Sequence, residues 1–174
     1  MKDFKLLYDG NSGEHDFNAF SDSDWAGDPH DHHSLSGYMF KIARGAVAWS
    51  LKKQPSTALS STEGEYMALT HVAKEVIWIH QFLGEVRFPP TIPITLLGDN
   101  QGALALTINP AFHAHTKHIQ VHHHFIRDCI TNQDVKLKYI SKADQVANVL
   151  TKGLPYVKHS RFTLSMGLVG VSTH

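Results

Sequence analysis

Cysteine is nearly absent: Cys129 stands alone among 174 residues. One thiol cannot build an internal disulfide framework, which excludes the small stapled folds of secreted domains and fits a reducing compartment. Net charge is also missing, because 16 basic and 16 acidic side chains cancel. That excludes a global cationic field, so any contact with nucleic acid must rest on a local surface. No apolar run reaches the ~18 residues of a membrane span. The amino end, Met1-Lys2-Asp3-Phe4-Lys5, lacks the apolar stretch of a signal peptide. Repeats and low-complexity tracts are absent too. The expectation is a soluble intracellular domain with no membrane contact, long enough for one real core.

Histidine, by contrast, is plentiful at 14 residues. His113, His115, His118 and the run His122-His123-His124 invite a zinc reading. The spacing argues against it, with no paired Cys-x-x-Cys and no His-Glu-x-x-His. The alternative is a helix with some packed and some solvent-facing histidines.

Along the chain, Asp9-Gly10-Asn11-Ser12-Gly13 marks residues 1–16 as a polar lead-in from an upstream segment. Residues 19–25 alternate as a strand, with Phe20, Asp22 and Asp24 on one face. Segments 38–42 and 46–51 predict two strands joined at Arg44-Gly45, hence antiparallel. Ser60 and Glu63 have capping-box spacing. Leu69, Val72, Val76, Ile79 and Leu83 then follow helical steps until Gly84 supplies a stop. Pro89-Pro90 precedes a strand over 94–98, and a short helix ends near Asn109-Pro110. A helix over about 116–130, a strand over 135–139 and a last helix over about 143–152 follow. The tail after Gly153 adds a short peripheral helix. Three meandering strands and then α/β units predict a mixed sheet with helices on its faces.

Three acids stand out against this pattern. Asp99-Asn100-Gln101 sits where an apolar strand opens into a helix, at the sheet edge where α/β folds put their sites. Glu65 lies four residues before Leu69 on the buried-facing side, where a carboxylate is costly unless it meets a cation or donors. Glu63, on another face, is accounted for by capping. Asp22 lies within the first strand. Three acids on three elements point to a metal site for phosphodiester chemistry. Two divalent ions ~3.5–4 Å apart can activate a nucleophile and stabilise the leaving oxygen. Magnesium needs only a few carboxylates because it keeps much of its water.

The motifs also match a family. In order they are Ser21-Asp22-Ser23-Asp24-Trp25-Ala26-Gly27-Asp28, Ser36-Gly37-Tyr38, Trp49-Ser50-Leu51-Lys52-Lys53-Gln54-Pro55 and Ala58-Leu59-Ser60-Ser61-Thr62-Glu63-Gly64-Glu65-Tyr66. Asp99-Asn100-Gln101, Asn109-Pro110, Thr116-Lys117-His118-Ile119, His124-Phe125-Ile126-Arg127 and Leu150-Thr151-Lys152-Gly153-Leu154-Pro155 continue the series. The chain closely resembles the ribonuclease H domain of Ty1/copia-type retrotransposon Pol polyproteins. The resemblance implies an α/β, ribonuclease H-like fold over residues 17–155: a five-stranded mixed sheet, strands 1–3 antiparallel, flanked by helices, with 156–174 as a C-terminal extension. It implies an endonuclease that hydrolyses the RNA strand of RNA–DNA hybrids during reverse transcription and leaves 5′-phosphomonoesters. Two Mg²⁺ ions, or Mn²⁺ in their place, would serve it. The implied setting is a monomeric domain beside an upstream reverse transcriptase domain, in the cytoplasmic virus-like particle of the element. Carried over position by position, Asp22, Glu65 and Asp99 are the expected catalytic metal ligands, with Asp24 as the fallback for the first.

Two departures matter. The family carries an Ala-Asp pair ahead of Leu-Thr-Lys, and here the matching pair is Ala147-Asn148. Asn148 offers a neutral carbonyl oxygen and removes one negative charge from the fourth ligand position. An engineered change, a natural variant that still cuts and a decayed copy that only binds hybrid all fit; Asp144, one turn earlier, is placed to compensate in part. In addition, residues 140–144 lack the histidine that many cellular ribonucleases H carry before the last helix. His124 is the exposed alternative and His122 the packed one. Substrate contact is expected from Ser60, Ser61 and Thr62 through hydroxyls and first-turn amides, and from Asn100 and Gln101 toward 2′-OH groups or base edges. Lys52, Lys53 and Gln54 are expected to reach the backbone. Integrases and transposases use a related sheet but take their third acid from a later helix, so Glu65 favours ribonuclease H.

Overall fold

The computed structural model describes residues 3–10, 17–28, 30–108 and 120–170, with backbone only at 120–123. Its centre is a five-stranded sheet built from β2 (Asn18–Asp24), β3 (Leu35–Ile42), β4 (Gly45–Lys53), β5 (Ile94–Gly98) and β6 (Val135–Tyr139). The strand order is β4-β3-β2-β5-β6. β2, β3 and β4 run antiparallel, while β5 is parallel to both β2 and β6. This is the mixed sheet the sequence predicts.

The helices cover both faces of that sheet. α1 (Ser61–Glu85), α2 (Gln101–Ile108) and α3 (Gln120–Thr131) follow the order expected. Leu69, Val72 and Val76 of α1 pack with Ile126 of α3 on Ala19, Leu96 and Val135 of the sheet. On the other face, Phe20 and Met39 meet Val146, Ala147, Phe162 and Met166. With cover on both sides, β2 is buried along nearly its whole length and shows no wet face.

The sequence reading differs from the structure at the chain's ends and boundaries. The last helix shrinks to α4 (Asn148–Thr151), preceded by tight i to i−3 turns at Asn148, Val149 and Leu150. α5 (Tyr156–Ser165) follows and adds fully buried Phe162 to the cluster around Phe20 and Met39. The tail helix is otherwise peripheral, as expected, with Tyr156, Val157 and Leu164 exposed. Residues of the expected lead-in form β1 (Phe4–Leu6), which pairs antiparallel with β7 (Leu168–Gly170). The β3–β4 turn is Ala43-Arg44, both left-handed at φ 47° and 67°, as two-residue hairpins demand. α1 runs one residue past Gly84, and the left-handed residue there is Arg87. The motifs at Asn109-Pro110 and 116–119, with His113, His115 and His118, lie outside the described residues, as do the side chains of His122 and His123. No described helix is long and apolar enough to cross a membrane.

Candidate active site

Strand register brings the first two acids together. Ser21 pairs with Gly98 across the parallel β2–β5 ladder. Asp22, still within β2, and Asp99, the first residue past β5, come next along the chain, so they stand side by side at the C-terminal edge of β5. Glu65 arrives from α1. A Cβ on Gly64 would meet Ser23 Oγ at 3.1 Å, so the bare glycine lets the helix sit tight against β2. Ser60 Oγ accepts the Glu63 amide at 3.2 Å and Glu63 Oε2 accepts the Leu59 amide at 2.9 Å, which fixes where α1 starts. The Trp25 indole donates to the Ala58 carbonyl at 3.0 Å and ties the end of β2 to the same entry loop.

Among the described residues, Asp22, Glu65 and Asp99 are the group that could hold a metal ion, with carboxylate oxygens all within 4.8 Å of one another. All three are buried. Burial pushes the Glu65 carboxyl up to about 9, and the charges of Asp22 and Asp99 push in the same direction. Asp99 is raised by burial and then by Asp22. A hard divalent ion fits this donor set: three carboxylates converge with more negative charge than the protein neutralises. Asp24 sits at the rim and does not join the cluster.

Glu65 and Asp99 line a cleft of about 530 Å³ together with Ser61, Asn100, Gln101 and Asn148, and Asp22 lies fully buried beside them. Of the residues expected to touch substrate, Ser61, Asn100 and Gln101 therefore face it, while Ser60 and Thr62 are not among its lining. Asn100 Oδ1 accepts the Ala103 amide at 3.0 Å and caps α2, leaving its amide nitrogen for other contacts. Gln54 does not reach outward. It is buried, and its Nε2 donates to Ser36 Oγ and the Gly64 carbonyl, both at 2.8 Å. Lys53 is engaged by Asp28 and Asp31. His124 is exposed on α3 and is not among the cleft's lining residues.

Asn148 stands where the fourth ligand was expected, buried and facing the cleft. Asp144 does not compensate for it. With the last helix replaced by turns, Asp144 bonds Ser141 Oγ at 2.7 Å and the Arg161 guanidinium, with half its side chain exposed. The cation beside Asn148 is Lys152, whose Nζ donates at 2.8 Å to Asp22 Oδ1 and at 2.8 Å to Asn148 Oδ1. Burial works against the Lys152 charge, but Asp22, Glu65 and Asp99 outweigh it and hold its pKa above the ordinary lysine value. Thr151 donates its hydroxyl to the second Asp22 oxygen. Gln145, fully buried, donates to the Ser21 carbonyl at 2.8 Å and pins this segment onto β2. Sequence reasoning gave no role to Gln145, Thr151, Lys152, Lys142 or Lys158, although Leu150-Thr151-Lys152 belonged to the matched motif.

No family model matches the chain. It is 37% identical over 153 residues to the retrovirus-related Pol polyprotein from transposon RE2 of Arabidopsis thaliana, covering 88% of this chain and 10% of the polyprotein. It is likewise 37% identical over 156 residues to that of transposon TNT 1-94 of Nicotiana tabacum, covering 90% of the chain and 11% of the polyprotein. The chain thus spans about a tenth of the length of these relatives. In structure it is similar to LC11-RNase H1 isolated from compost, with a TM-score of 0.57 at 11% identity over 78% of this chain and 92% of that one. The same protein solved in complex with an RNA/DNA hybrid gives 0.56 at 10% identity, over 77% of this chain and 92% of that one.

Proposed function

The chain is a homologue of the retrovirus-related Pol polyproteins of copia-type plant transposons and has the ribonuclease H fold, and on that premise we propose that it hydrolyses the RNA strand of RNA–DNA hybrids. Its setting would be reverse transcription, beside the reverse transcriptase region of the same polyprotein. The observation that carries the proposal is the convergence of Asp22, Glu65 and Asp99, with Glu65 and Asp99 lining an open cleft. These residues, with Asn148 beside them, would hold divalent ions, Mg²⁺ or Mn²⁺. When bound, such ions polarise a phosphoryl oxygen and make water a better nucleophile. The protein's own part is placement. Strand register fixes Asp22 against Asp99, the capped helix fixes Glu65, and Ser61, Asn100 and Gln101 offer hydroxyl and amide groups to a hybrid's phosphates and 2′-OH groups. Lys142 and Lys158 supply local positive charge in the same cleft, which a chain of zero net charge needs for nucleic-acid contact.

The test is cleavage of a labelled RNA–DNA hybrid, single-stranded RNA and double-stranded RNA in Mg²⁺, in Mn²⁺ and in EDTA. Cutting should be confined to the hybrid and to the two metals, and Asp99→Asn should abolish it while leaving the fold intact. Equal cutting of free RNA, or full activity in EDTA, would overturn the proposal. A second reading, a hybrid-binding domain with weakened catalysis, is supported by the neutral Asn148 in the cleft. It predicts hybrid binding without cleavage in either metal.

A further inference from the structure

Lys152 is placed unlike an ordinary surface lysine. Its Nζ stands 2.8 Å from a carboxylate oxygen of fully buried Asp22 and 2.8 Å from the amide oxygen of Asn148. The structure assigns Lys152 as a resident cation of the acid cluster, seated between Asp22 and Asn148, which a divalent ion bound at Asp22 must displace. This inference rests on the reading that Asp22, Glu65 and Asp99 hold divalent ions.

The need for such a cation follows from burial. A carboxylate withdrawn from water is costly unless a charge or donors compensate. Asp22 receives the Thr151 hydroxyl on one oxygen and the Lys152 ammonium on the other. Metal-free, the cluster is therefore partly neutralised by the protein itself.

Displacement follows from charge. An ammonium and a divalent ion sharing one carboxylate oxygen repel strongly in a site with little water. Lys152 has somewhere to go: 36% of its side chain is accessible, and the cleft beside it is open. A lysine is a point charge on a flexible four-carbon stem, so it can leave without disturbing backbone. Asn148 makes departure easier. Its amide oxygen accepts the ammonium without adding charge, so Lys152 holds one full ion-pair partner instead of two.

The inference is tested by metal binding without nucleic acid. Mg²⁺ alone is titrated into the whole chain, and both heat of binding and melting temperature are recorded. Lys152→Met keeps the stem and removes the charge, Lys152→Gln removes the charge but stays polar, and Lys152→Arg keeps the charge. Both neutral variants should melt below wild type in EDTA and bind Mg²⁺ more tightly, on the order of tenfold. Lys152→Arg should stay near wild type. Equal Mg²⁺ midpoints for wild type and the neutral variants would overturn the inference and leave the metal site standing. Uptake of neither Mg²⁺ nor Mn²⁺ by wild type would bring down the metal reading and the inference together.

Discussion

Gly37 pairs with Asp22 across the β2–β3 ladder, and a Cβ built on it would come within 2.6 Å of Thr151 Cγ2. The missing side chain lets α4 lie directly on β3, which brings the Thr151 hydroxyl and the Lys152 ammonium to Asp22. Leu150 Cβ, at 3.3 Å from the same point, is a second tight contact with α4. Gly37→Ala should therefore lift α4 and destabilise the protein by about 1–3 kcal/mol, the usual cost of overpacking. Urea unfolding measures it. A loss within about 0.5 kcal/mol would mean the contact yields freely.

The Glu65 carboxyl, raised to about 9, sets a pH dependence for the metal-free protein. Between the ordinary value of 4.5 and about 9, folded Glu65 keeps a proton that the unfolded chain has lost. The folded state binds more protons, so its stability falls as pH rises through this window. Asp99 acts in the same direction. Melting temperatures in EDTA should decline across the window, and Glu65→Gln should flatten most of the decline. In Mg²⁺ the trend should reverse, because ligands must lose protons to bind. An unchanged slope in Glu65→Gln would remove Glu65 as the cause.

Ala43 and Arg44 adopt left-handed backbone, where an L side chain is strained. Ala43→Gly relieves that strain in a hairpin turn remote from the cleft. It should stabilise the fold by up to about 1 kcal/mol, since glycine's greater freedom when unfolded takes back part of the gain. Denaturant midpoints compare the two forms, and any destabilisation would contradict the argument.

Much of this architecture is legible in the sequence because it is written locally. The Ser60–Glu63 box marks the start of α1, the apolar run before Asp99 marks β5, and Glu65 and Asp99 sit near that start and that strand's end. What is not legible depends on partners distant in the chain. β1 and β7 are three residues each, too short for a periodic signal, and become strands only by pairing across the whole chain. Residues 143–147 carry helical spacing, yet tertiary contact wins there. Buried Gln145 exchanges a helical path for bonds to the Ser21 carbonyl and to the Ala147 amide. Lys152 reads as solvated charge until the sheet places Asp22 beneath it.

Asn148→Asp should lower the Mg²⁺ concentration needed for half-maximal hybrid cleavage. Residue 148 is buried and borders the cleft that Glu65 and Asp99 line, so a new carboxylate would act at short range with little water between. It would attract two cations at once, the divalent ion and the Lys152 ammonium now 2.8 Å from the Asn148 oxygen. The divalent ion carries twice the charge and gains about twice the attraction, so the balance moves toward metal. A shift of roughly tenfold, about 1.4 kcal/mol, is the expected size. In EDTA the sign differs. There Lys152 alone answers the added charge, and a fourth buried acid among Asp22, Glu65 and Asp99 should lower the melting temperature. Titrating Mg²⁺ against cleavage for both forms at one pH and salt, with parallel melts in EDTA, separates the two effects. Identical Mg²⁺ midpoints would mean that the side chain at 148 does not feel the metal, and that α4 positions Lys152 without supplying a ligand of its own.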